Sequence, residues 1–173
     1  MILCLTPNPA IDRTSYLDAI HLGKVHRTQK MLTAAGGKGL NVARTIHTLG
    51  GDVFCMGPIG GHNGQLLADL AKREGLPARW ARVQDEIRTC TILVEANRDA
   101  TVINEAGLGI SAEESQILIE AVLKQAVHAN LVCISGSLPK GFSLRRFKFL
   151  LVSLVALVNR FGWIQAERLC RPH

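Results

Sequence analysis

Residues 34–50, AAGGKGLNVARTIHTLG, constrain the fold more than any other stretch of this chain. Three glycines within four positions, Gly36, Gly37 and Gly39, allow backbone conformations that a side chain forbids and let the main chain approach a ligand closely. Lys38 sits among them. The pattern then turns helical, with Leu40, Val42, Ala43, Ile46 and Leu49 apolar and Gly50 as a stop. A glycine turn feeding a helix N-terminus presents free N–H groups to an anion, with a lysine to add charge. Two familiar phosphate motifs are excluded. A P-loop needs Ser or Thr after the lysine, where Gly39 stands, and a dinucleotide fingerprint begun at Gly37 needs glycine at Val42. Spacing leaves two readings open: a plain glycine turn, or an anion- or sugar-binding turn.

The rest of the chain supplies an α/β rhythm around this stretch. Residues 2–6 read as a buried strand stopped by Pro7 and Pro9, with Asp12 just beyond its end. Ligands collect at the carboxyl ends of strands in parallel sheets, so Asp12 is either a hydroxyl-binding carboxylate or a turn aspartate. Residues 14–20 and 25–33 resemble short strands about 21–24 and interrupt the rhythm. Residues 53–56 form a strand, GPIGGHNG (57–64) a second glycine-rich turn, and 65–74 a helix. Residues 88–95 and 101–104 resemble a hairpin, and Ser111 with Glu114 forms a capping box for a helix to about His128. A strand at 131–135 opens into SGSLPKG (135–141). Alternating strands and helices predict a mostly parallel sheet with helices on both faces, and the extra strands a small appended sheet.

Composition excludes several classes of protein. An apolar fraction of 47% is ample for a core. Five scattered cysteines (4, 55, 90, 133 and 170) without a CxxC point to reduced thiols in a cytoplasmic protein. The start MILCLTPNP lacks a signal peptide's basic and long apolar regions, and the apolar run 147–158 is too short to span a membrane. The net charge of +6 is concentrated late: residues 144–173 hold six Lys/Arg and one acid, against 14 and 13 before them. With few, dispersed aromatics, this argues against a nucleic-acid partner. The six histidines show no metal-ligand spacing, and Cys90, with no His–Asp arrangement, reads as a packed strand residue.

Several motifs stand in a telling order: NPAID (8–12), GGKGLNVAR (36–44), GPIGGHNG, RTCTILVE (88–95), INEAG (103–107) and SGSLPKG. Together they resemble the ribokinase-like pfkB sugar kinases, over about residues 1–157. The nearest branch phosphorylates hexose phosphates, the 1-phosphofructokinase and tagatose-6-phosphate kinase branch. The resemblance implies a three-layer α/β/α domain with a β-sheet lid, made of about residues 12–34 and 88–104, that closes over the sugar and often forms a dimer contact. It makes Asp12 a ligand for sugar hydroxyls, since a carboxylate accepting two hydroxyl bonds orients the sugar and rejects ligands lacking them. It places Gly36 and Gly37 against the sugar, and Asn41 beside it as donor and acceptor. Lys38 and Arg88, with Arg27 after them, are the cations expected for a substrate phosphate, although each suits a solvated surface equally. Ser137 resembles the position whose hydroxyl and amide help hold that phosphate.

Phosphoryl transfer also needs an activated hydroxyl, an anion cradle and a nucleotide site with Mg2+. The family takes these from its C-terminal half, with a base aspartate in a G-A-G-D turn and an N-x-x-E motif for the metal. This chain contains neither, so no catalytic base and no metal ligand are assigned, and ATP and Mg2+ are expected in a complete protein only. Where the family continues with a strand of the type KPVWVDTSG, residues 158–173 read VNRFGWIQAERLCRPH. Read one nucleotide earlier, with codons chosen freely among those permitted, the same stretch can spell GKPVWVDTSGAAL, and we read it as a frameshifted tail on a domain cut short before its C-terminal half. Two expectations follow: part of a kinase acting on a ketohexose phosphate such as fructose 1-phosphate, or a non-catalytic sugar-phosphate-binding or dimerising remnant.

Overall fold

A computed structural model describes residues 1–28, 30–96 and 100–158. The chain runs β1 (Ile2–Leu5), β2 (Ala10–Leu17), β3 (Lys30–Gly36), α1 (Lys38–Thr48), β4 (Val53–Ile59), α2 (Gly61–Arg73), β5 (Ala78–Arg82), β6 (Arg88–Glu95), β7 (Thr101–Asn104), α3 (Ala112–Ala126), β8 (Leu131–Ile134) and α4 (Leu144–Leu157). The frameshift expectation for the tail lies, beyond Val158, outside the described residues.

The strands form two sheets. The first, in the order β5-β4-β1-β8, is parallel throughout. Its central strand reads ILCL, with Leu3, Cys4 and Leu5 buried, the continuous apolar run expected of a strand covered on both faces. Progress from β1 to β4 to β5 runs toward one edge and the return to β8 toward the other. Right-handed crossovers therefore place α1 and α2 on one face and α3 on the opposite one. The contacts agree: α1 packs on β1 and β4, and α3 packs on β1, β4 and β5 and against α4. Leu40, Leu67, Leu118, Ile119, Leu150 and Leu154 join the strand residues in one core.

The second sheet, β3-β2-β6-β7, is mixed. β2 pairs antiparallel with β3 and parallel with β6, and β6 pairs antiparallel with β7. It grows straight out of the first sheet, because β1 leads through residues 6–9 into β2, and β3 leads directly into α1. The three layers and appended sheet are the architecture expected from the sequence.

Several elements differ from the sequence expectation, each for a visible reason. β2 starts at Ala10, so Asp12 is not in a loop after a strand but within a lid strand, opposite Ala34 and Cys90. β2 ends at Leu17 rather than 20, because the Ile20 N–H turns away to the Glu95 carboxylate at 2.8 Å. The GPIGGHNG stretch is not a long turn. β4 continues through it to Ile59 by pairing with β5, and α2 begins at Gly61. β5 itself escaped prediction, since ARWAR alternates poorly. No helix among the described residues is long and apolar enough to cross a membrane. The four described cysteines, 4, 55, 90 and 133, are buried free thiols.

Candidate functional site

The two sheets meet where β1 leads into β2 and β3 leads into α1, and most of the residues expected from the sequence lie at this joint. Gly37 has φ 117°, a conformation L side chains rarely adopt, and a Cβ there would press on Thr6 Cγ2 and Pro9 Cα. Gly36 is required differently: a methyl group would overlap the Asp12 carboxylate. The carboxylate is thus laid on bare backbone, where a ligand reaching it also meets main-chain groups. Both glycines are needed where they stand, Gly37 for its backbone conformation and Gly36 for the room it leaves the Asp12 carboxylate.

The two glycine-rich helix starts are not equivalent. At α2, the Glu86 carboxylate accepts the Asn63 N–H at 2.8 Å and occupies the positive helix end. At α1, the N-cap is Gly37 with no side-chain cap, and no acid lies in the first turn. Both starts share a glycine N-cap without a side-chain cap, and they differ in the Glu86 carboxylate bonded at α2.

Asp12 is half-buried. Desolvation pushes its carboxyl above the usual 3.8, opposed by the charges of Arg44 and Arg88 and by a hydrogen bond with the Cys90 thiol. Arg44 is held firmly. Its Nε and Nη2 reach the Glu74 carboxylate at 2.6 and 3.1 Å, Nη2 also donates to the Ala35 carbonyl at 2.7 Å, and Nη1 donates to Asn41 Oδ1 at 2.7 Å. Asn41 accepts that bond with its oxygen and keeps its amide hydrogens for donation. Arg88 pairs in register with Ala10, two residues from Asp12, and its Nη1 donates to the Glu105 carbonyl at 3.5 Å. Its Nε is buried with no protein partner.

On the other side of the joint, Asn8 Nδ2 donates to Ser137 Oγ at 3.0 Å. This bond ties the residues after β1 to the loop after β8. Asn8 also lies against Gly107 and, through its carbonyl, Gly37.

Of the residues expected from the sequence, Asp12, Gly36, Gly37, Asn41, Arg88 and Ser137 are brought round this joint. Lys38 is exposed at the first position of α1. Arg27 is not brought there: it lies beyond the Tyr16–Lys30 pair, at the far end of the β2–β3 hairpin, whose near end is the Ala10–Gly36 pair. Sequence reasoning missed Arg44, Asn8 and the contact of Cys90 with Asp12. Arg44 had a signal, being three residues after Asn41 on the same helix face. Cys90 had none, because its meeting with Asp12 depends on the register between β2 and β6. Among the described residues no group of three His, Cys, Asp or Glu is placed to hold a metal ion.

A parallel sheet layered between helices, with a strand lid rooted beside a carboxylate on bare glycine backbone, is a ribokinase-like α/β fold. Residues 6–153 match the pfkB family carbohydrate kinases, and the chain belongs to that family. It is 37% identical over 145 residues to a 1-phosphofructokinase of Haloferax volcanii, covering 83% of this chain and 47% of that protein. It is 33% identical over 143 residues to a tagatose-6-phosphate kinase of Staphylococcus epidermidis, covering 83% and 46%. Among solved structures it is similar to phosphofructokinase-2 from Escherichia coli in complex with fructose-6-phosphate, with TM-score 0.85 and 29% identity over 94% of this chain and 54% of that one. The chain spans about half the length of these relatives.

Proposed function

We propose that this chain is the sugar-recognising part of an ATP-dependent kinase whose complete form phosphorylates a ketohexose phosphate, fructose 1-phosphate to fructose 1,6-bisphosphate. The observation that carries the reading is the Asp12 carboxylate, laid on Gly36 and flanked by Arg44 and Arg88. It accepts two hydroxyls of the sugar, while Asn41 and the Gly36–Gly37 backbone orient it. Arg88, Lys38 and Ser137 hold the phosphate the substrate already carries, joined by Arg27 where the far end of the lid hairpin, its own or a second copy's, is brought near. The names of the relatives, a 1-phosphofructokinase and a tagatose-6-phosphate kinase, support the substrate class, as does the fructose-6-phosphate complex of the E. coli enzyme.

The described residues do not fit an ATP–Mg2+ site. They offer no metal-ligand group, and the carboxylate at the joint faces two guanidinium groups. We derive no step through either cofactor and assign both to residues this chain does not carry, since it contains neither G-A-G-D nor N-x-x-E. The same absence favours a second reading, a non-catalytic sugar-phosphate-binding remnant.

Binding is tested by calorimetry on the chain with fructose 1-phosphate: the unmodified chain binds, and Asp12→Asn weakens binding by about 1–3 kcal/mol. Equal affinity for the two forms removes Asp12 from the site. For residues 158–173 we propose a shifted reading frame; gene sequence that fails to read on through VWVD one base earlier overturns it. We further propose pairing of two copies through the lid, where Met31, Leu32, Val102 and Ile103 are exposed. Sedimentation that gives a monomer at all concentrations, unaltered by Ile103→Asp, overturns that contact.

A further inference from the structure

Asn8 is 6% exposed, yet it makes only one side-chain bond, from Nδ2 to Ser137 Oγ at 3.0 Å across 129 residues of sequence. Its Oδ1 is buried without a partner. A buried acceptor left unmet is uncommon in a folded protein and calls for a reason. In this orientation the amide presents an N–H, not its oxygen, to Ser137. Gly107 keeps the space clear, since a methyl group there would overlap the Asn8 amide.

The consequence falls on Ser137, which is exposed at the joint. A serine hydroxyl has one hydrogen and two lone pairs. Asn8 occupies a lone pair, and among the described residues no protein atom takes the hydrogen. That leaves the hydrogen and the second lone pair facing outward, and the hydrogen is the part that a phosphate oxygen can use. Phosphate oxygens accept hydrogen bonds, whereas sugar hydroxyls do both.

We propose that Asn8 is a positioning residue that fixes the Ser137 hydroxyl proton toward the phosphate already on the bound sugar, and so helps the site prefer phosphorylated over unphosphorylated ketohexoses. The inference deepens the sugar-phosphate reading above and rests on it. An aspartate at position 8 has almost the same shape but only accepts. The Ser137 proton would turn back to it, leaving lone pairs and a negative charge near the phosphate.

Calorimetry on the full chain with fructose 1-phosphate and with fructose tests this. Asn8→Asp lowers affinity for the phosphate ester by about ten- to a hundredfold and leaves that for fructose unchanged. Asn8→Ala, which frees the hydroxyl to rotate, gives a smaller loss, and that loss vanishes in a Ser137→Ala background because Asn8 acts through Ser137. Circular dichroism checks each variant; if Asn8→Ala does not fold, the near-isosteric Asn8→Asp is read alone. Equal losses for both ligands, or an Asn8→Ala effect that persists without Ser137, overturns the role of Asn8 while leaving the sugar-phosphate reading intact. No preference for the phosphate ester in the unmodified chain overturns that reading, and this inference with it.

Discussion

Asp12 holds a charge where folding alone would not place one. Burial raises its pKa above 3.8 despite Arg44, Arg88 and the Cys90 thiol, so the folded chain binds this proton more tightly than the unfolded chain. The sign follows: stability falls as pH rises through the raised value, and ionised Asp12 destabilises the fold at neutral pH. Asp12→Asn should therefore raise the melting temperature at pH 7 while weakening sugar-phosphate binding, and a lower melting temperature would contradict this account. On the proposed reading the ligand binds the ionised carboxylate, so affinity should fall as pH drops through a value above 3.8, measurable by calorimetry across that range. Gly36→Ala pushes a methyl into the same carboxylate and should cost binding even where the fold survives. At this scale the sequence was legible where one motif carries a residue and its reason together, as in GGKGLN. Arg44 was half-legible, through its helical spacing to Asn41. Cys90 and Asn8 were read as a packed strand residue and part of a motif, because their partners Asp12 and Ser137 are brought to them only by strand register and by a bond across 129 residues.

Elements with their own chemistry at both ends were the easiest to read. α3 begins with the Ser111–Glu114 capping box, in which the Ser111 hydroxyl accepts the Glu114 N–H at 3.1 Å and the Glu114 carboxylate accepts the Ser111 N–H at 2.8 Å. Ser111→Ala should destabilise the chain by about 1 kcal/mol in denaturant titration. The backbone N–H groups of Ser111 and then Gln84 hold the Glu114 carboxyl below its usual 4.5. That contribution is complete above 4.5 and is lost as pH falls through the lowered value. The lid hairpins were legible as extra strands, but their ends were not, since β2 begins directly after Pro9 and stops where Glu95 captures the Ile20 N–H. β5 was illegible because an edge strand with Arg79 and Arg82 shows little of the apolar alternation that marks a half-buried strand.

At the scale of the whole molecule, α4 carries a run of exposed apolar side chains among the described residues. Leu150 and Leu154 are buried in the core while Phe149, Val152 and Val155 face outward, 55%, 69% and 53% exposed. β8 pairs with β1 on one side, and among the described residues no strand pairs with it on the other. An exposed apolar helix stripe and an unpaired strand edge each favour association. The chain should bind a hydrophobic dye in its folded state, and Val152→Glu should reduce both dye binding and aggregation; unchanged light scattering in that variant would show the stripe to be harmless. An ATP-dependent assay on the 173-residue chain should give no turnover with fructose 1-phosphate. Turnover would show that its own residues complete phosphoryl transfer, and would remove the assignment of the base to a G-A-G-D turn.

The β2–β3 hairpin joins the body through residues 6–9 and Gly36–Gly37, where Asp12, Asn8 and the start of α1 converge, and it is held as well by its pairing with β6 and by α2 packing on β2 and β3. If the second sheet turns as one body about that end, it is a lever whose fulcrum is the candidate site. Its arm of seven paired positions is roughly 24 Å long, so a swing of about 10° at the fulcrum moves the tip by about 4 Å. Small changes in what occupies the fulcrum are geared up into displacements at the far end, and a second molecule gripping that end would be gearing them back down.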